Sequence, residues 1–332
     1  MRLKKRLGLF VIIAIAICVF VLDSMRMKNA HVQEFMNELR NADVLVFGSS
    51  HAYINLNGSV LWDKYGIASV SLAQGEQPLC MTYFEMESAL RWDKPQIVIV
   101  EPYMAVTGSE YNGGSDKYVN ALLSFPIWSN IDCRIEATRE LKDVNRLEYI
   151  LGFPIYHSDY KLPQFNVIEE RKNAGYESVG YDRREDAQLT DRCNSNGVIG
   201  TIKLDESTES YLYKIINICR EEKVALVFVL TPYQASEEHI MKLNAVKQIA
   251  EEEGIEYVDM NNYIEEIGID LDSEMADWGH ALISGSEKNS MWLGKYLQEN
   301  YRIADRREDV KYENWDAVKE AYEKARMEKT GM

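Results

Sequence analysis

The chain is poor in proline (7 of 332 residues), in cysteine (5) and in positive charge, with 37 Lys and Arg against 53 Asp and Glu. Each shortage excludes something. So few prolines beside 19 glycines rule out collagen-like and low-complexity organisation. The cysteines Cys18, Cys80, Cys133, Cys193 and Cys219 form no CxxC pair and no Cys/His cluster at zinc-ligand spacing, so neither a disulfide framework nor a metal site is expected. A net charge of −16 repels a phosphate backbone and excludes nucleic acid as a partner. Four of the basic residues (Arg2, Lys4, Lys5, Arg6) crowd the first six positions, so the rest of the chain is more acidic still and is disfavoured for broad docking onto anionic lipid. No internal repeat is present.

What is there is an ordinary globular composition, 46% apolar and 27% charged, long enough for one large domain or two small ones. The N-terminus places a basic tip before sixteen apolar residues, 7–22, ended by Asp23. As a helix that run rises about 24 Å, slightly short of a ~30 Å hydrocarbon core, a gap that snorkelling basic side chains close. A cleaved signal peptide shares the pattern, but no small-x-small site follows, and the reading is an uncleaved anchor. Basic residues ahead of it stay cytoplasmic, which puts 23–332 outside the cell membrane.

Beyond a juxtamembrane helical spacer (24–42, with Val32, Phe35, Met36 and Leu39 on one stripe), short apolar β-rich runs recur at 44–47, 67–72, 97–100, 224–230 and 255–258. Amphipathic segments at 79–91, 211–222 and 238–253 lie among them. Strands alternating with helices predict an α/β fold, a three-layer, doubly wound parallel sheet over 43–300. Residues 103–208 exceed any ordinary crossover and read as an insertion with one helix over 132–150. Its aromatics Tyr111, Tyr118, Trp128, Tyr149, Tyr156 and Tyr160 offer flat surfaces for sugar rings at a frequency near background, and His157 reads as a surface histidine before it reads as one reaching over the site. Residues 301–332 form a charged helical tail with Trp315, Val318, Tyr322 and Ala325 at helical spacing.

Ligands of an open parallel sheet bind beyond the carboxyl ends of its strands. There the chain carries Gly48-Ser49-Ser50-His51, then Ala73-Gln74-Gly75, Glu101-Pro102-Tyr103, Thr231-Pro232-Tyr233, and a loop with Asp277-Trp278-Gly279-His280. These supply the parts of a serine acyl-transfer site: Ser50 as nucleophile, His280 as base, Asp277 as its orienting carboxylate, and backbone N–H groups for an oxyanion. Each part has a plainer reading, as a turn serine, a positive-φ Gly75 or a helix-start Asp277; the order Ser…Asp…His and the three-residue spacing of the pair carry the argument. His51 reads as a neighbour of the nucleophile rather than its base. No glycine-rich phosphate loop follows the first strand, which disfavours a flavodoxin-like cofactor binder, and no cofactor is expected.

Strand-Gly48-Ser49-Ser50, Gly75 after the second strand and Asp277-x-x-His280 before a final helix resemble the SGNH/GDSL hydrolase superfamily. With the N-terminal anchor they are most similar to its exported branch, which includes DltD of teichoic-acid D-alanylation and polysaccharide O-acetylation proteins. The resemblance covers 43–103 and 224–299. It implies a membrane-anchored serine esterase or O-acyltransferase acting on acyl esters of envelope glycans or glycopolymers, with Ser50, Asp277 and His280 catalytic, and with Ser50 and Gly75 as oxyanion donors. It leaves room for a membrane-bound acyltransferase as partner. Two positions depart from the family: Ser49 stands where an Asp is usual, and Glu101-Pro102-Tyr103 where an oxyanion Asn is usual. Tyr103 offers a hydroxyl as a replacement donor, but a structural tyrosine is the preferred reading there. The alternative is a non-catalytic, membrane-anchored scaffold or glycan-binding accessory protein.

Overall fold

The structure, a computed structural model, describes residues 2–26, 36–37, 39–108, 122–123, 125–141, 145–152 and 197–330. At its centre are five parallel strands, β1 (Val44–Phe47), β2 (Ser69–Ser71), β3 (Ile97–Val100), β4 (Ala225–Leu230) and β5 (Glu256–Asp259), in the order β2-β1-β3-β4-β5. Val44 lies between Ser69 and Ile97, and Val227 between Ile99 and Glu256. The five apolar runs therefore form one sheet, as the sequence predicts. Only β2 is clearly shorter than its run, at three residues.

The side chains explain the layering. Val44, Val46, Ile97, Ile99, Val227 and Val229 join one apolar cluster, while Leu45, Phe47, Val98, Val100, Leu226 and Phe228 join another. Alternate residues of a strand face opposite sides, so these are the two faces of the sheet and each is covered. Helices α4 (Leu79–Leu90) and α7 (Glu206–Glu222) supply Met81, Phe84, Met86, Leu212, Ile215 and Ile216 to the second cluster. Across the sheet, α3 (Gly58–Tyr65) supplies Leu61, and α10 (Ile283–Tyr301) supplies Leu293 and Leu297. A further helix, α8 (Glu237–Glu252), opens on a Ser236 cap whose hydroxyl accepts from the His239 N–H, and a short α9 (Ile264–Ile267) follows β5.

The expectations for helices need amendment in places. A six-residue helix α2 (Ser50–Asn55) and the eight-residue α3 were not foreseen. The single helix expected over 132–150 is two, α5 (Ile127–Glu140) and α6 (Arg146–Leu151), because Leu141 turns extended at φ −82°, ψ 139°. Of the insertion's aromatics, Trp128 is exposed beside Trp92 and Tyr149 is buried; Tyr111, Tyr118, Tyr156, Tyr160 and His157 lie outside the described residues, as do Cys193 and most of the spacer. Met36 and Leu39 of the spacer are buried in the core.

The N-terminal helix α1 (Arg2–Arg26) exceeds the apolar run at both ends. Its stretch Arg6–Ser24, 19 residues with none of them buried, is long and apolar enough to cross a membrane. That length rises about 28 Å, so the shortfall of the apolar run closes without distortion. At its far end the Asp23 carboxylate accepts the Ile127 N–H at 2.9 Å, tying α1 to the start of α5. At the other terminus, α11 (Glu313–Thr330) buries Trp315 and Tyr322.

Candidate active site

The sheet order reverses between β1 and β3, and the loops after those strands diverge there, leaving the crevice in which open α/β sheets hold ligands. The chain leaves β1 through Gly48, whose φ of +139° suits only glycine and whose Cβ, if present, would stand 2.8 Å from that of Glu101. Ser49 then caps α2, its hydroxyl accepting from the His51 N–H at 3.3 Å. Ser50 is thus the first residue of the helix, half-buried, with its N–H among those the helix leaves without an internal acceptor.

The base arrives from the other end of the chain. Asp277 opens a tight turn in which its Oδ1 accepts the Gly279 and His280 N–H groups, both at 2.9 Å. The Ala276 N–H donates to the His280 carbonyl at 2.7 Å and closes that turn. The turn folds the imidazole back on the carboxylate, with His280 Nδ1 2.8 and 2.9 Å from the two Asp277 oxygens. His280 Nε2 then lies 2.8 Å from Ser50 Oγ. Burial pushes the Asp277 carboxyl up, but the hydrogen bonds and charge of His280 and the two N–H groups outweigh it and hold Asp277 below its ordinary value. The ionised carboxylate fixes the tautomer: Nδ1 carries the proton and Nε2 is left to accept the Ser50 hydroxyl proton. The three residues named from spacing are brought together, 230 positions apart in the chain, with the side chains of Asp277 and His280 only 9% and 13% exposed.

The oxyanion residues are placed less completely. Gly75 sits half-buried in the loop after β2, and a Cβ there would stand 3.3 Å from the Tyr53 hydroxyl of α2. Its φ is not positive; the left-handed residue of that turn is Glu76 (φ 57°), which sets aside the turn-glycine reading. Tyr103 lies with its ring stacked on His51, centroids 3.9 Å apart and planes at 17°, and its N–H donates to Glu101 at 2.9 Å. Those contacts give Tyr103 a packing role.

Three further residues at the site are given no role of their own by the sequence. His51 is fully buried beneath His280, with ring centroids 5.0 Å apart, among Tyr103, Tyr233 and Trp278, and neither ring nitrogen has a hydrogen-bond partner among the described residues. Burial, then the charge of His280, holds its imidazole well below the ordinary value, so it is neutral. Glu101, also fully buried, accepts the Ser49 hydroxyl at 3.2 Å, and burial pushes its carboxyl up to about 8 against the pull of the Tyr103 N–H and both Ser49 donors. It supports the nucleophile turn from below. Asn55, at the end of α2, bonds the backbone on both sides of His280. Sequence signals for these are faint, because their partners are distant in the chain.

Among the described residues, one group has metal-ligand proximity, Glu87, Asp132 and Cys133, with donor atoms within 4.8 Å. The Arg91 guanidinium already pairs with Glu87 at 2.6 Å and Asp132 at 2.7 Å, and burial pushes the Cys133 thiol up to about 12. That donor set is a salt-bridge network around a protonated thiol.

Nothing comparable emerges among known proteins: no family model, no curated protein and no solved structure matches the chain.

Proposed function

We propose that the protein is a membrane-anchored, extracytoplasmic serine esterase or O-acyltransferase of the SGNH type, acting on acyl esters of envelope glycans or glycopolymers. The observation that carries this reading is the continuous Ser50–His280–Asp277 relay, with Ser50 Oγ 2.8 Å from His280 Nε2 and His280 Nδ1 2.8 Å from Asp277. In the acylation step Ser50 Oγ attacks the ester carbonyl as His280 Nε2 takes its proton, and Asp277 stabilises the imidazolium. The N–H groups of Ser50 and Gly75 face the developing oxyanion, each worth about 3–4 kcal/mol in comparable sites. The tetrahedral intermediate collapses, the C–O bond to the leaving alcohol breaks, and His280 returns the proton to that alkoxide. A second alcohol, or water, then gives its proton to His280 and attacks the acyl-Ser50 carbonyl, releasing Ser50 with its hydroxyl restored. Water makes the protein an esterase; a sugar or polyol hydroxyl makes it an acyltransferase. The anchor helix, with its basic tip inside, favours an acceptor in the envelope.

The second reading, a non-catalytic scaffold or glycan-binding accessory protein, draws on one observation: Glu101-Pro102-Tyr103 occupies the place of the oxyanion Asn, and the Tyr103 ring is packed on His51. Turnover of p-nitrophenyl acetate by the full-length chain in detergent separates the two. The enzyme reading predicts turnover that falls about 10⁴–10⁶-fold in Ser50→Ala or His280→Ala, with no further loss in the double variant. Turnover unchanged in Ser50→Ala contradicts it, and a wild type without turnover that keeps its glycan affinity in the triple alanine variant supports the scaffold.

A further inference from the structure

We infer that Asn55 is a positioning residue of this site, locking the backbone on both sides of the base to the helix that carries the nucleophile; the catalytic part of the inference rests on the reading just given. Ser50 and Asn55 are the first and last residues of α2. The Asn55 amide is fully buried, and its Oδ1 accepts the Ala281 N–H at 2.7 Å while its Nδ2 donates to the Gly279 carbonyl at 2.7 Å. One amide group thus holds the peptide before His280 and the peptide after it. The second proton of Nδ2 goes to Thr231 Oγ1 at 2.8 Å, at the end of β4, and the Thr231 hydroxyl donates to the His51 carbonyl at 3.3 Å, back in the first turn of α2.

The chemistry demands asparagine. The position needs one acceptor and two donors on a short planar group: aspartate offers no donor when ionised, and glutamine is longer by a methylene. The orientation of the amide is fixed by its partners, since exchanging O and N would set a carbonyl against a carbonyl and an N–H against an N–H. The consequence is geometric. Ser50 and His280 are 230 residues apart, and their side chains meet in a 2.8 Å contact. Asn55 supplies a second, rigid link between the same two segments, made through backbone, so the Ser50 to His280 distance does not depend on the reacting hydrogen bond itself. In near-attack geometry a misplacement of about 1 Å costs on the order of 10²-fold in rate.

The test uses the full-length chain in detergent, wild type against Asn55→Ala, Asn55→Asp and the nearly isosteric Thr231→Val. Two readouts are taken: the rate of fluorophosphonate labelling at Ser50, with KM and kcat for p-nitrophenyl acetate, and the downfield proton NMR signal of the His280 Nδ1–H held by Asp277. The inference predicts labelling and kcat down about 10²-fold in Asn55→Ala and Asn55→Asp and about tenfold in Thr231→Val, KM within threefold, and the downfield proton shifted or lost to exchange. A folded variant at position 55 that keeps labelling rate, kcat and the downfield proton within twofold of wild type overturns it; if neither folds, an unchanged Thr231→Val does so. A wild type that is never labelled counts against the enzymatic function alone, because the NMR signal still reports whether Asn55 positions His280.

Discussion

Glu101 and His51 flank the proposed nucleophile, and both are titratable groups buried without an ion-pair partner among the described residues, so they set opposite pH liabilities. Folding favours protonated Glu101, whose carboxyl burial pushes up to about 8. The stability this preference lends is fully present below the ordinary carboxylate range and is lost as pH climbs to about 8. Glu101→Gln should therefore flatten the decline in urea midpoint between pH 5 and 9 and be the more stable protein at pH 9, by about 1–3 kcal/mol. His51 runs the other way: folding depresses its pKa, so the stability is present above its ordinary value of about 6.5 and lost as pH falls through the range below it. His51→Phe keeps a ring against Tyr103 and removes two unpartnered buried nitrogens. It should stabilise the fold at pH 5 more than at pH 8, by about 1–3 kcal/mol, read by thermal unfolding at the two pH values. Neither residue was legible as important in the sequence. Ser50, Asp277 and His280 were, because the Asp-x-x-His pair closes within one turn and the Gly-Ser-Ser turn follows a plain apolar strand.

At the scale of elements, the close fit of the Asp277–His280 loop over α2 makes buried Gly279 a position with no room for a side chain. A Cβ there would stand 2.5 Å from His51 Cε1 and Nε2, and the ring cannot retreat because Tyr103 is stacked on it at 3.9 Å. Gly279→Ala should lift the Asp277–His280 turn, lowering any turnover of p-nitrophenyl acetate by at least tenfold and stability by about 1–3 kcal/mol, read by turnover and thermal unfolding. The sheet was legible because a buried parallel strand is a continuous apolar run, as in Val44–Phe47 and Ile97–Val100. The helices α2 and α3 were not, because six and eight residues are too few for a helical period to stand out. Their only local marks are the caps: Ser49 on α2, then Asn57, whose Oδ1 accepts from Ser59 and Val60, and left-handed Gly66 on α3. The break between α5 and α6 was hidden for a related reason, since Leu141 is apolar and fully in phase with the buried face it interrupts.

Taken whole, the molecule is an α/β body strapped at both termini. The tail helix α11 lies against α3: Trp62 Nε1 donates to Asp316 at 2.8 Å, Tyr322 donates to Glu287 of α10 at 2.9 Å, and Arg326 pairs with the same carboxylate at 2.7 Å. Trp315 is 4% exposed and packs at a tilt against Trp62 and Tyr312. Trp315→Ala should cost about 3–5 kcal/mol, seen as a fall in melting temperature, since its loss uncovers the outer side of α3. The helical spacing of Trp315, Val318, Tyr322 and Ala325 made this packing legible. What the tail packs against was not, because α3 lies some 250 residues earlier.

The most direct measurement of the central claim is the site of covalent modification after full-length protein in detergent is treated with a fluorophosphonate and digested for mass spectrometry. The account predicts a single adduct on Ser50, formed in wild type and absent from His280→Ala. An adduct that forms on another serine, or that persists in Ser50→Ala, contradicts it.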